Sequence, residues 1–410
     1  MYATANAAPT EVEPKAPDTT PRGRGQRRAL FALALGTFAI GTGEFGTNGV
    51  IELYAEDLDA SLPLATWAVT AYALGVVIGS PIITIAAARL NRKRLLLGLI
   101  GLFLVGNLFS AWAMSMDMLI AARFVTGTVQ GAYFGAGAVV ASYLYGAGKA
   151  GKAFATVMAG LTVATIFGSP AGTFIGQMLG WEWLYLVVAA IGLLAGLALL
   201  MWIPSTPDLD GGSVRSELRA FTKPLVWVMV AIAALGISSI FAVYTFIAPI
   251  VTDAAGQSPA VIPIALAVFG LGMAAGNALG GRIADRHLTA GLVLGYLLVS
   301  LSLIVVGIGG AWLPSLFIGL FGVGASAMMA IPTIQVLLTR FAPDAPTLVG
   351  SLNLAALNAA NAFGAVGGAI VIGAGYGVLA TSWAGLVLVL AGLAVFALFI
   401  PRALNATRSR

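Results

Sequence analysis

The chain has 410 residues, of which 9% are charged and 59% hydrophobic, whereas an average soluble domain carries roughly 25% charge. A water-facing surface cannot be built from 21 Lys/Arg and 16 Asp/Glu over this length. That excludes an ordinary soluble enzyme, a nucleic-acid binder and a disordered scaffold, and makes the bilayer the solvent for most of the chain. With no cysteine and a single histidine, His287, disulfides, thiol catalysis and His or Cys metal clusters are excluded as well; no cofactor is expected.

Residues 1–27 are rich in Ala, Pro, Thr and charge without apolar periodicity, and are expected to form a flexible cytoplasmic tail. Apolar segments then recur near 29–51, 65–88, 94–114, 118–143, 153–177 and 182–203, and again near 224–247, 262–284, 289–309, 312–337, 348–371 and 382–401. Each is close to or above the ~20 residues that cross a bilayer. In lipid every backbone amide must be paired within its own segment, so the segments are predicted helices, numbered here as spans 1–12. The hydrophilic stretch 205–223, with Asp208, Asp210, Arg215, Glu217 and Arg219, divides them six and six as a cytoplasmic linker. Residues 28–204 and 224–402 are then two six-helix bundles, and 403–410 a second cytoplasmic tail. The predicted fold class is all-α integral membrane, with twelve transmembrane helices in two pseudo-symmetric bundles.

The loops test the count. With the N-terminus inside, the outer loops hold Glu52, Glu56, Asp57, Asp59, Asp117, Glu182 and Asp253 and no base. Every Lys and Arg except Arg123 falls in an inner segment, as the positive-inside rule requires. A missed span would reverse every later loop and destroy this segregation. The excess of positive charge is therefore topology, and nucleic acid is not an expected partner.

The halves carry a repeat at an offset of 197 residues: Gly75, Gly79 and Arg89 map onto Gly272, Gly276 and Arg286. Two related bundles suggest a transporter whose site lies between them near the midplane. The motifs sharpen this: Gly41-Thr-Gly-Glu44-Phe45 in span 1, Arg123 through Gly135 in span 4 and Gly168-Ser-Pro170-Ala-Gly172 in span 5. Ala242-Val-Tyr244-Thr-Phe-Ile-Ala-Pro249 in span 7 and Gly281-Arg-Ile-Ala-Asp285-Arg286 after span 8 complete the set. On these residues the chain resembles the major facilitator superfamily over 28–402. Within it the chain is similar to the twelve-span drug:proton antiporters of the bacterial arabinose, sugar and chloramphenicol efflux group.

Two charges remain inside the membrane, Glu44 and Arg123, and an intramembrane ionisable group is a functional candidate by default. Glu44 lies about 22 Å along span 1 from the inner edge, and Arg123 about 8 Å into span 4 from the outer edge. In a core of ~30 Å these are the same level, so contact between them is geometrically allowed. A carboxyl's proton affinity depends on burial and on nearby cations. A conformational change that alters either would move Glu44 between proton-accepting and proton-releasing states. The resemblance ties the span 4 Arg to proton coupling. For Glu44 the alternative is a static structural pair or a carboxyl facing a water-filled outer vestibule, and for Arg123 it is a side chain that snorkels to the interface.

Gly168, Gly172 and Gly176 form one flat helix face, and Pro170 removes a backbone bond and bends span 5. The resemblance makes this element an antiporter motif; plain helix packing is the alternative. After span 2, Arg89, Arg92 and Lys93 fit the family loop that helps latch one conformation. Thr84, Ala88 and Asn91 replace its first Gly, its Asp and its second Gly. The second-half copy keeps Gly281, Asp285 and Arg286.

Candidate substrate-binding residues are Asn48, Gln130, Tyr133, Phe134, Tyr244, Thr245, Gln335, Asn358 and Asn361. Aromatic walls with amides suit a small neutral amphipathic or polyhydroxy molecule, although an amide often only bonds a neighbouring helix. The expected protein is a monomeric, proton-driven exporter in the inner membrane, with both termini cytoplasmic. Its partners are a small-molecule substrate, protons and lipid. A metabolite:proton symporter of the same fold is the alternative.

Overall fold

A computed structural model of the chain describes residues 23–87, 90–146, 150–204, 222–286, 289–342 and 346–408. Among the described residues twelve helices are long and apolar enough to cross a membrane. Spans 1–6 are Arg24–Asp57, Leu62–Gly79, Arg92–Ala111, Met116–Tyr145, Thr156–Leu179 and Trp181–Trp202. Spans 7–12 are Pro224–Tyr244, Pro259–Gly276, Ala290–Gly309, Leu313–Phe341, Leu352–Gly373 and Ala380–Arg402. The helix of span 1 begins at Arg24, inside the predicted tail, and that of span 12 runs on to Arg408 through the predicted C-terminal tail. Neither stretch holds a residue that must stop a helix; Pro401 kinks without ending one. Residues 205–221 of the predicted linker, and Arg89, lie outside the described residues.

The loops define two faces. One carries the acids: Asp117 and Glu182 stand in the first turns of spans 4 and 6, where the helix dipole favours negative charge. Asp57 accepts a bond from Trp181 Nε1 at 3.1 Å. Trp67, Trp112, Trp183, Trp312, Tyr376 and Trp383 are exposed around this acidic face, at the depth where amphipathic rings meet headgroups. The opposite face is basic. There Lys93 Nζ donates to the carbonyls of Leu200 and Ile203 at 2.9 and 2.6 Å and closes the end of span 6.

The internal repeat is reproduced in backbone contacts. A Cβ on Gly75 would overlap the Phe124 carbonyl oxygen, and one on Gly127 that of Tyr72. At 197 residues on, Gly272 meets the Phe321 carbonyl and Gly324 that of Phe269. Spans 2 and 4, and likewise 8 and 10, therefore touch backbone to backbone, which only glycine permits.

Among the described residues the helices of spans 1, 4 and 7 are broken. Span 1 passes into a 3₁₀ turn at Thr47–Val50, span 4 is interrupted at Thr128 and Val129, and span 7 breaks after Tyr244. Span 5 widens to a π-turn at Ala164–Gly168 just before Pro170, whose ring cannot fit a regular turn. Hydrogen bonds that join the halves include Glu44–Asn361, Tyr244–Phe45, Tyr244–Ser169, Glu52–Thr252 and Gln177–Pro259. These lie between the level of Glu44 and the acidic face, so the halves are closed together on that side.

Candidate functional site

Glu44 sits three residues before the 3₁₀ turn of span 1, and Gln130 opens the second helical segment of span 4. The two breaks bring them together: Gln130 Nε2 donates to Glu44 Oε2 at 2.9 Å. From the other half, Asn361 Nδ2 in span 11 donates to Glu44 Oε1 at 3.5 Å. Glu44 is 5% exposed, and Gln130 and Asn361 2% each. A single intramembrane carboxyl thus takes one amide donor from each half. The amide oxygens of Gln130 and Asn361 have no partner.

Arg123 is fully buried but makes no salt bridge with Glu44. Its guanidinium lies over the Tyr72 ring, 4.4 Å from the centroid, and 5.5 Å from that of Tyr185. None of its three nitrogens has a hydrogen-bond partner. The direct contact allowed by depth is therefore replaced by a cation held between two aromatic faces, whose charge acts on Glu44 through space. The physical reason lies in the close approach of spans 2 and 4 at Gly75 and Gly127, which brings Tyr72 under the guanidinium. Tyr185 is in turn oriented by Thr47, whose hydroxyl is 3.3 Å from the phenol.

Tyr244 spans the interface beside this cluster. Its hydroxyl bonds the Phe45 carbonyl at 3.5 Å and lies 3.3 Å from Ser169 Oγ. Its ring packs edge-on against Phe45 at 5.7 Å and stands 4.5 Å from Phe269. Asn48 and Asn358 are buried and donate to the carbonyls of Phe45 and Leu354 within their own helices, leaving their amide oxygens free. Thr245 is buried with an unpartnered hydroxyl, and Phe134 is buried in the core of span 4.

Two candidate substrate residues are used elsewhere. Tyr133 is wedged against Gly36, where a Cβ would overlap its hydroxyl, and bonds the Leu33 carbonyl at 3.3 Å; it fastens span 4 to span 1. Gln335 accepts from Asn353 Nδ2 at 2.8 Å. Asn353 lies eight residues before Asn361, or about 12 Å towards the basic face, so Gln335 does not join the cluster. Tyr72, Tyr185 and Ser169 are the site residues that sequence reasoning missed. Tyr72 had a usable signal, three residues before the Gly75 ladder; Tyr185 is brought in by packing alone.

The span 5 glycines face inwards to their own half: a Cβ on Gly168 would strike Thr42, on Gly172 Leu184 and on Gly176 Val50. Close packing of span 5 on spans 1 and 6 is what they provide here, and Pro170 goes with the π-turn beside it. Arg92 is half-buried at the start of span 3. Gly281, Asp285 and Arg286 stand at the end of the helix of span 8, and their surroundings lie outside the described residues. A separate hollow of about 390 Å³ between spans 2 and 11 near the acidic face is lined by Pro63, Trp67, Thr70, Val366 and Ile370; it contains no ionisable group.

Comparison with known proteins agrees with this architecture. The family model of the Major Facilitator Superfamily matches residues 33–343. The inner membrane transport protein YdhP of Escherichia coli is 34% identical over 90% of this chain and 95% of its own. A chloramphenicol resistance protein of Streptomyces lividans is 32% identical over 89% and 94%. Among solved structures, a bacterial homolog of the human lysosomal transporter Spinster, in an inward-facing and unoccupied conformation, matches with a TM-score of 0.72. It shares 16% identity, over 92% of this chain and 97% of that one. Matched along nearly its whole length to transporters rather than enzymes, and built as twelve spans with a repeat of six, this chain belongs to the major facilitator superfamily.

Proposed function

We propose that the chain is a proton-coupled exporter of a small amphipathic or polyhydroxy molecule, working by alternating access of its two halves. The observation that carries this reading is Glu44, an intramembrane carboxyl held by one amide from each half. An ionisable group in that position changes partners whenever the halves move. The segregation of charge supports a cytoplasmic basic face, and with it cytoplasmic termini. The relative named for chloramphenicol resistance supports the outward direction and the substrate class; the one named an inner membrane transport protein supports the location. The chain acts as a monomer, with the proton gradient as its only energy source.

In the cycle, Glu44 takes a proton when the acidic face is open and releases it when the basic face is open. Substrate moves the other way. The test is export into inverted vesicles from a host lacking its own exporters, under an imposed pH gradient, with chloramphenicol and a panel of sugars as probes. Glu44→Gln is expected to fold as the parent does and to lose gradient-driven accumulation by at least tenfold. Accumulation equal to the parent's would refute the coupling; uptake in place of export would make the chain a symporter.

A further inference from the structure

We infer that the Asn361–Glu44 hydrogen bond holds the empty carrier closed at its acidic face while Glu44 is ionised, and that export begins when substrate breaks it. This rests on Glu44 being the coupling carboxyl. Asn361 belongs to the second half, and Gln130, the other donor, to the first. Separation of the halves at the acidic face leaves Gln130 in place and takes Asn361 away. The carboxylate then loses one of two donors in a low-dielectric setting, where an unmet charge is costly. The orientation of the Asn361 amide is settled chemically: turned over, it would set oxygen against a carboxylate oxygen.

Protonation weakens this tie, because a hydrogen bond to a charged acceptor is roughly twice as strong as a neutral one. A bound substrate that presents its own N–H or O–H to Glu44 replaces Asn361 and frees the halves. The ionised carrier without substrate has neither route, so it does not return empty, which is what tight exchange requires. The titratable or charged groups around Glu44 are Arg123 on span 4, Tyr72 on span 2 and Tyr244 on span 7. Of these groups and Glu44, the carboxyl is the one that takes up its proton on the acid side of neutrality, so a loss of the closed contact on acidification reports on Glu44. Among the described residues a second bond between the halves that involves a carboxylate is Glu52–Thr252 at the acidic face.

The absence of cysteine makes a direct test available. Glu52→Cys with Thr252→Cys places one thiol on each half where they are closed together, and removes the second carboxylate tie. In the purified full chain in lipid vesicles, the yield is the short bis-maleimide crosslink relative to single labelling of the same thiols at the same pH, which cancels the pH dependence of thiolate reactivity. It is expected to fall severalfold from pH 9 to pH 5. In Asn361→Leu and Asn361→Ala the yield becomes low and independent of pH. Asn361→Asp sets carboxylate against carboxylate, so the response inverts and the yield is higher at pH 5. Should the apolar variants fail to fold, that inversion alone decides: an Asn361→Asp response like the parent's overturns the inference. Parental pH dependence in Asn361→Leu, with the dependence lost in Glu44→Gln, also overturns it and leaves the coupling role of Glu44 standing. Dependence that persists in Glu44→Gln overturns both.

Discussion

The cradle of Arg123 makes a sharp prediction at Tyr72. The phenol ring lies 4.4 Å from the guanidinium, while its own hydroxyl is buried without a partner. What Tyr72 contributes is therefore the ring face and not the polar tip. A desolvated cation–π contact is worth about 2 kcal/mol, and a buried unpaired hydroxyl costs about 1 kcal/mol or more. Tyr72→Phe keeps the first and removes the second, so it should be as stable as the parent or more stable by about 1 kcal/mol. Tyr72→Leu loses the ring face and should be about 2 kcal/mol less stable. At about 2 °C per kcal/mol for a large chain, the two variants separate by about 6 °C in thermal unfolding in detergent. Gradient-driven export should follow the same order, since Arg123 without that ring keeps only the more distant face of Tyr185, 5.5 Å away. Equal destabilisation by Phe and Leu would refute the reasoning, because the hydroxyl would then be the contributing group.

The repeat predicts matched costs. Gly127→Ala and Gly324→Ala each drive a Cβ into a backbone carbonyl of the neighbouring span, and each should cost about 1–3 kcal/mol through overpacking. Thermal unfolding of both variants checks this; an unaffected Gly324→Ala would show that the second half lacks the close approach. Gln335→Leu should leave gradient-driven export within about twofold of the parent, because its amide pairs with Asn353 well below Glu44. A tenfold loss in the vesicle assay would return Gln335 to the substrate path.

Glu44 and Arg123 were legible in the sequence because an ionisable residue inside an apolar helix is conspicuous against its own neighbours. The same holds for the glycine ladders and the 197-residue repeat, which lie along one helix and recur in another. Gln130 and Asn361 were legible as polar residues in spans but not as partners of Glu44: they sit 86 and 317 residues from it. Tyr133 looked like a cavity wall because it follows Gln130 on the same helix. Its role was decided by Gly36 on span 1, whose missing side chain makes the slot that receives the ring.

By itself, then, the sequence determined the solvent, the number of spans, the pairing of the halves and the two intramembrane charges. All of these follow from composition and spacing within single helices. Tertiary structure alone decided that amides from both halves hold Glu44, that aromatic rings and no carboxylate hold Arg123, and that the halves close at the acidic face. The physical reason is that helical periodicity says which face of a helix is polar. Which face it meets depends on glycine-permitted approach and on the breaks in spans 1, 4 and 7, and those act between segments far apart in the chain.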